Sequence, residues 1–175
     1  MELVTNGSLE ELMKARLESD TRFSDKEVSL LMRSILSALA HIHDKDTLHR
    51  DLKPSNILLA DRNNLASVKI IDFGLSEKYV LREDFSSECG TLFYMAPEVV
   101  SNGGKISKSV DIWAVGIIMF QLLSGGAHPF GVTGYDSRAK FQQCIQKAKQ
   151  EIDLDVLKDC TYLSAISKKF LERLI

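Results

Sequence analysis

The strongest periodic pattern in the chain is an amphipathic stretch that follows residue 24. Apolar residues recur there at spacings of three and four, which is the period of one helix face. They are Val28, Leu31, Met32, Ile35, Leu36, Leu39 and Ile42. Ser24 and Glu27 stand just before this run, and this pair of residue types at this spacing is typical of a capping box. We predict a core helix that begins near Ser24 and ends near Ile42.

A second apolar stretch, which opens at Asp111, has no polar face. A helix that is apolar all round is buried on every side. The most apolar part, Ile112–Leu123, is too short to span a bilayer, so we expect it in the core of the domain. The aspartate that leads this helix needs hydrogen-bonding partners once it is buried.

Between the two helices the pattern predicts a short β-hairpin. Ile57–Leu59 and Val68–Ile71 are typical of paired strands, and Asp61–Asn64 is rich in turn-forming residues. Such a hairpin returns Asp72 to a position beside Asn56. Their carboxylate and amide oxygens are hard ligands of the kind that Mg²⁺ prefers.

Composition limits the class of protein. The chain has 175 residues, 45% hydrophobic and 26% charged, which is typical of one globular domain. A net charge of −2 gives no reason to propose a nucleic-acid partner. The three cysteines have no metal-ligand spacing, so we expect reduced thiols. Without a recognisable leader or membrane segment, we expect a cytoplasmic protein, with the nucleus left open.

Three short motifs follow one another along the chain. Residues 49–56 read His-Arg-Asp-Leu-Lys-Pro-Ser-Asn, residues 72–74 read Asp-Phe-Gly, and residues 96–98 read Ala-Pro-Glu. Together they resemble the signature of the eukaryotic protein kinases. The presence of Lys53 and Thr91 at their positions in these motifs resembles the pattern of the serine/threonine kinases. The stretches 68–76 and 122–125 look most like the calcium/calmodulin-dependent group.

The resemblance implies a fold that is mainly α-helical. It is the large, carboxy-terminal lobe of a kinase, with a small β-hairpin at the catalytic loop. The sequence contains no Gly-rich loop and no Val-Ala-Ile-Lys-like strand, so the small lobe is expected to be missing. We therefore expect residues 1–175 to be a partial kinase domain, truncated at both ends, with little activity in isolation.

The resemblance also assigns catalytic roles, with ATP and Mg²⁺ as cofactors and protein serine or threonine hydroxyls as substrates. Asp51 would orient the hydroxyl and accept its proton, and Lys53 would contact the γ-phosphate. Asn56 and Asp72 would bind Mg²⁺. Thr91 would bridge Asp51 and Lys53.

Further implied roles concern nucleotide binding and regulation. The backbone groups of Glu2 and Val4, in a hinge-like segment, would bind adenine, and Leu58 would pack under the ring. Arg50 is typical of kinases whose activation loop is ordered by phosphorylation. Ser87 is the expected phosphorylation site in that loop, with the neighbouring serine as a competitor.

Three other positions carry expectations. By resemblance, Asp111 bonds the backbone of the catalytic loop. His41 and His43 are expected to cap the carboxy-terminal end of the first core helix rather than to bind metal.

Substrate preference can also be inferred. Related kinases bind an arginine upstream of the phosphorylated residue with carboxylates. The corresponding positions here are Ser8, Ser55 and Gln121, so we expect no strong requirement for arginine unless the nearby Glu10 or Glu11 supplies the carboxylate.

Alternatives to a catalytic protein kinase share part of this pattern. Aminoglycoside-type phosphotransferases share a His-x-Asp…Asn…Asp plan but lack a segment like Gly90–Glu98. A half-kinase that binds partners without turnover, or a truncated gene product, is consistent with the absent Gly-rich loop. The intact set of Asp51, Lys53, Asn56 and Asp72 favours the enzyme.

Overall fold

Helices and one small hairpin make up the regular structure of the residues that can be described. The computed structural model describes residues 6–73, 92–100, 106–131, 139–141, 143, 167, 169–170 and 173–174. In chain order the elements are α1 (Leu9–Glu18), α2 (Asp25–His43), a 3₁₀ turn (Pro54–Asn56), β1 (Ile57–Leu59), β2 (Val68–Ile70), α3 (Pro97–Val100) and α4 (Ser109–Ser124). The predicted helix-rich chain with one hairpin is confirmed.

Capping boxes start both helices of the amino-terminal part. At α1, Ser8 Oγ accepts the Glu11 N–H at 3.2 Å and the Glu11 carboxylate accepts the Ser8 N–H at 3.3 Å. The same reciprocal pair joins Ser24 and Glu27 at α2, at 3.3 Å and 2.8 Å. Each pair satisfies N–H groups that a helix start leaves without a partner. The predicted start of α2 is therefore confirmed.

The main core forms where α2 packs against α4 and β2. All the predicted apolar residues of α2 are buried except Leu36, which is partly buried against the same core. Helix α4 begins at Ser109, one half-turn earlier than its apolar run, and ends at Ser124, with Gly125 as its C-cap. Gly125 has a φ of 76°, a left-handed conformation that glycine adopts without a steric cost.

Helix α4 is buried nearly all round, as its composition predicts. Its buried residues are Val110, Asp111, Ala114, Val115, Gly116, Ile117, Ile118, Met119, Phe120, Leu122 and Leu123. Among the residues described here, no helix is both long and apolar enough to cross a membrane.

The hairpin lies beside the segment that leads into α1. Strands β1 and β2 are antiparallel, with Ile57 opposite Ile70. Strand β2 ends at Ile70 rather than at the predicted Ile71. On the other side of β1, the Leu59 N–H donates to the Gly7 carbonyl at 3.0 Å.

A smaller apolar cluster lies near α3. It contains the buried Val100 and Phe141. Packed against these two are Leu92, Phe93, Met95 and Phe130.

Candidate active site

The carboxylate of Asp111 holds the loop that carries the His-Arg-Asp motif. Asp111 lies in the first turn of α4 and is 1% exposed. Its Oδ2 accepts the His49 N–H at 2.9 Å and its Oδ1 accepts the Arg50 N–H at 2.8 Å. Hydrogen bonds to an ionised acceptor are strong and offset the cost of burying its charge. The contact between Asp111 and the loop backbone, expected from the resemblance, is confirmed.

His43, the last residue of α2, also contacts this carboxylate. Its Nε2 lies 2.8 Å from Asp111 Oδ2, and the residue is 8% exposed. The prediction that His43 caps the helix end was wrong, because it lies one turn after Leu39 and beside Ile42, on the apolar face. His41 lies on the opposite, exposed face. The helical period itself was the signal that distinguished the two histidines.

His49 links the loop to the chain that follows β2. The residue is fully buried, and its Nδ1 accepts the Asp51 N–H at 3.3 Å. Its Nε2 therefore carries the proton and donates to the Ile71 carbonyl at 2.9 Å. The Phe73 ring meets the imidazole edge-on, with the centroids 5.2 Å apart. The motif histidine thus fixes the relative position of Asp51 and the Asp72 segment.

The side chains of Asp51, Lys53 and Asn56 meet within the loop. Lys53 Nζ lies 3.0 Å from Asp51 Oδ2. Asn56 Nδ2 donates to the Asp51 carbonyl at 2.8 Å and to its Oδ2 at 3.0 Å. Asp51 is 8% exposed, and these contacts fix the orientation of its nearly buried carboxylate. The structure therefore brings together three of the residues singled out in the sequence.

The hairpin returns the chain to Asn56, as predicted. The Ile71 N–H donates to the Asn56 carbonyl at 3.0 Å, and Asp72 follows directly. Asp72 and Arg50 have φ values of 63° and 64°. Positive φ at non-glycine residues is costly and tends to occur at functional sites. Here the two strained residues lie on the two segments that His49 joins.

Asn56 and Asp72 have the chemistry of a divalent-cation site. The amide nitrogen of Asn56 is already bonded to Asp51, which leaves its Oδ1 as an acceptor. Asp72 is exposed and adds an anionic oxygen. The described residues contain no cluster of three or more His, Cys, Asp or Glu that would hold a metal alone. Two oxygen donors fit Mg²⁺, which usually completes its shell with water and phosphate oxygens.

Leu58 has a place suited to a ligand contact. It is half-buried between Ile57 and Leu59, which are fully buried. Since side chains alternate along a strand, Leu58 lies on the face turned away from the core. Several other predicted site residues lie outside the described residues: Glu2, Val4, Ser87 and Thr91.

A cavity of about 220 Å³ lies next to the loop that carries the His-Arg-Asp motif. Pro54, Tyr94 and Gln121 form part of its wall. The Tyr94 hydroxyl donates to Gln121 Oε1 at 2.9 Å, and burial raises the pKa of Tyr94 to about 12. Tyr94 is therefore a neutral donor at physiological pH. Apolar lining residues from α1 and the segment after it are Met13, Leu17 and Phe23.

Comparison with known proteins finds relatives that are protein kinases. The family model of the protein kinase domain matches residues 1–175. Calcium-dependent protein kinase 22 of Arabidopsis thaliana is 38% identical over 156 residues, covering 89% of this chain and 30% of that protein. Serine/threonine-protein kinase 33 of Mus musculus is 39% identical over 158 residues, covering 85% of this chain and 30% of that protein. Calcium-dependent protein kinase 5 of Plasmodium berghei is 40% identical over 125 residues, covering 71% of this chain and 21% of that protein. The chain thus spans less than a third of the length of these relatives.

Proposed function

Because this chain belongs to the protein kinase domain family, we propose that it carries the catalytic residues of an enzyme that phosphorylates protein serine and threonine hydroxyls, with ATP and Mg²⁺. The observation that supports this most is the 3.0 Å contact between Lys53 and Asp51, with the Asn56 amide on the same carboxylate. Relatives named as serine/threonine kinases support the substrate class.

We assign the chain to the carboxy-terminal lobe of that domain. The support is the helix-rich architecture of the described residues, in which a two-stranded sheet lies beside the catalytic loop. Leu58 then lies under the adenine, and the backbone of Glu2 and Val4 binds its edge. Thr91 bridges Asp51 and Lys53, while Arg50 and phosphorylated Ser87 form the regulatory pair.

In the proposed reaction, Asp51 orients the substrate hydroxyl and accepts its proton. The hydroxyl oxygen bonds to the γ-phosphorus as the bond from that phosphorus to the bridging oxygen breaks, and ADP leaves with the electron pair. Lys53 supplies positive charge to the γ-phosphate, and its position near Asp51 places that charge at the reacting group. Asn56 and Asp72 hold the cation, which neutralises phosphate charge when bound.

Phosphorylation by the full-length protein tests the proposal. The assay combines ATP labelled on the γ-phosphate with Mg²⁺ and a mixture of protein substrates. We expect label on serine and threonine, and a loss of at least about 100-fold in Asp51→Asn, which keeps the shape but removes the proton acceptor.

Asp46→Asn is the matched control. The Asp46 side chain is 95% exposed and forms an ion pair with Lys108 at 3.6 Å. This variant should retain wild-type turnover. Label on tyrosine alone, or full activity in Asp51→Asn, would contradict the proposed function.

A further inference from the structure

A histidine from the loop after α4 contacts the backbone of segment Leu92–Met95. His128 Nε2 lies 2.9 Å from the Phe93 carbonyl oxygen, and the Phe130 N–H donates to His128 Nδ1 at 3.3 Å. Because Nδ1 accepts, Nε2 carries the proton and donates to Phe93. Both ring nitrogens therefore have partners, and together they fix the tautomer and the orientation of the ring.

The surroundings of His128 are aromatic and hold it rigidly. The residue is 9% exposed, and its ring centroid lies 5.7 Å from that of Phe93, 5.5 Å from that of Phe130 and 6.1 Å from that of Phe141. None of these three phenylalanine rings titrates. Burial lowers the pKa of His128, so the imidazole is neutral at pH 7. A neutral ring is required for Nδ1 to accept a hydrogen bond.

Segment Leu92–Met95 has a second contact with the same part of the fold. The Tyr94 hydroxyl donates to Gln121 of α4 at 2.9 Å, so neighbouring residues are held by α4 and by the loop after it. Tyr94 and Pro54 line the same cavity. Pro54 follows Asp51 by three residues, which places the two Cα atoms within about 11 Å. A polypeptide that presents a hydroxyl to Asp51 therefore passes close to this segment.

We propose that His128 is a positioning residue for the polypeptide substrate. It holds the Phe93 carbonyl, and through it segment Leu92–Met95, where the chain that flanks the reacting hydroxyl binds. This inference rests on the proposed function. His128 acts through Phe93 and touches none of the reacting atoms.

Two substitutions separate the two hydrogen bonds of His128. The amide nitrogen of His128→Gln reaches the place of Nε2 and keeps the donor to Phe93, but it loses the acceptor for Phe130. The amide oxygen of His128→Asn takes the place of Nδ1 and keeps the acceptor for Phe130, but it loses the donor to Phe93. A role limited to the local turn would be rescued by Asn, and a role through Phe93 would be rescued by Gln.

Kinetics and hydrogen exchange of the full-length protein distinguish these cases. In His128→Asn we expect the KM for a protein substrate to rise about fivefold, the effect of one lost hydrogen bond, with KM for ATP unchanged. Amide exchange in residues 92–96 should accelerate by a similar factor. His128→Gln should stay close to wild type in both measurements. Equal behaviour of the two variants, or rescue by Asn alone, would overturn the proposal.

The exchange measurement separates this proposal from the proposed function. If the wild-type protein phosphorylates no substrate, the proposed function fails, and a substrate role for His128 fails with it. Faster amide exchange in His128→Asn than in His128→Gln would then show that the link between His128 and segment Leu92–Met95 is purely structural. If the protein is active and only thermal stability responds to the substitutions, the positioning role alone is refuted.

Discussion

Nε2 of His43 and Oδ2 of Asp111 lie 2.8 Å apart, although 68 residues separate the two in the sequence. The same carboxylate accepts the backbone N–H groups of His49 and Arg50. The end of α2, the start of α4 and the loop carrying Asp51 therefore meet at one buried side chain. This junction holds the loop that carries Asp51, and its contribution to the free energy of unfolding can be measured.

Asp111→Asn should destabilise the fold strongly. The asparagine amide has one oxygen, so its NH₂ group must face a backbone N–H, and a buried donor is left without an acceptor. We expect the free energy of unfolding to fall by at least about 2 kcal/mol. Urea unfolding followed by circular dichroism measures the change. Asp46→Asn makes the same chemical change at an exposed pair, whose loss should cost less than about 1 kcal/mol. Similar losses in both variants would contradict this assignment.

His43→Leu tests the other side of the junction. The substitution retains apolar packing but removes a hydrogen-bonding partner from a buried carboxylate, which should cost about 1–3 kcal/mol. His41→Leu, on the exposed face of the same helix turn, should change stability by less than about 0.5 kcal/mol. Denaturation midpoints of the two variants give the comparison. If His41→Leu proves the more destabilising, the burial argument for His43 fails.

Asp72→Asn should change the magnesium dependence of turnover. The variant keeps a residue type that tolerates positive φ but removes the anionic oxygen donor. We expect the Mg²⁺ concentration for half-maximal activity to rise by about 10-fold or more, with lower maximal turnover. Asp46→Asn is again the matched control, because Asp46 also has a positive φ, of 51°. An unchanged Mg²⁺ titration in Asp72→Asn would remove Asp72 from the proposed cation site.

Local patterns predicted much of the fold. The period of the apolar residues gave α2, and the Ser24–Glu27 pair gave its first turn. The hairpin followed from two apolar runs around a turn-rich stretch, and it returned the chain to Asn56 as expected. The start of α4 at Ser109 was harder to predict, because Lys108 precedes it without a side-chain cap and the first turn mixes polar and apolar residues.

The contacts that sequence reasoning missed are side-chain interactions between distant segments. His43 was assigned to a helix cap because local rules place cations near helix ends, whereas its position on the apolar face directs it to Asp111. The contacts of His128 with Phe93 and of Tyr94 with Gln121 join residues 35 and 27 positions apart. No local pattern specifies which buried polar groups will pair across a core. Only the packed arrangement shows these particular pairs.

Acidification should unfold the region around His128. Because its folded pKa is lowered, the native state binds fewer protons than the unfolded chain, whose histidine titrates at about 6.5. The stability linked to His128 is therefore complete above that pH and is lost as pH falls through the lower folded value. Trp113, the single tryptophan, stacks on Phe130 with the ring centroids 5.7 Å apart and reports the change by fluorescence.

The pH titration has a clear comparison. Wild type should show a fluorescence transition below pH 6.5 that is absent from His128→Phe, which cannot protonate. His41→Gln should retain the wild-type transition, since His41 is exposed. A transition that persists unchanged in His128→Phe would assign it to another group.

The three positions at which related kinases are expected to carry arginine-binding carboxylates are neutral in this chain. Ser8 Oγ accepts a helix N–H as the cap of α1, and Ser55 lies in the 3₁₀ turn. Gln121 Oε1 accepts the Tyr94 hydroxyl. Two nearby carboxylates already have cationic partners. They are Glu10, 3.5 Å from Lys14, and Glu11, 3.6 Å from Arg62.

We therefore predict that the full-length kinase shows no dominant selection for arginine upstream of the phosphorylated residue. A guanidinium gains most from a carboxylate that matches its planar donors, and an amide oxygen engaged by Tyr94 offers no such partner. A positional peptide library measures the selection at each position. Gln121→Glu is the informative variant, because it places a carboxylate in the cavity wall and should create a preference for arginine. Glu10→Gln should leave the wild-type profile unchanged. A dominant wild-type preference for arginine two or three residues before the acceptor, lost in Glu10→Gln, would show that Glu10 supplies the missing charge and that the prediction is wrong.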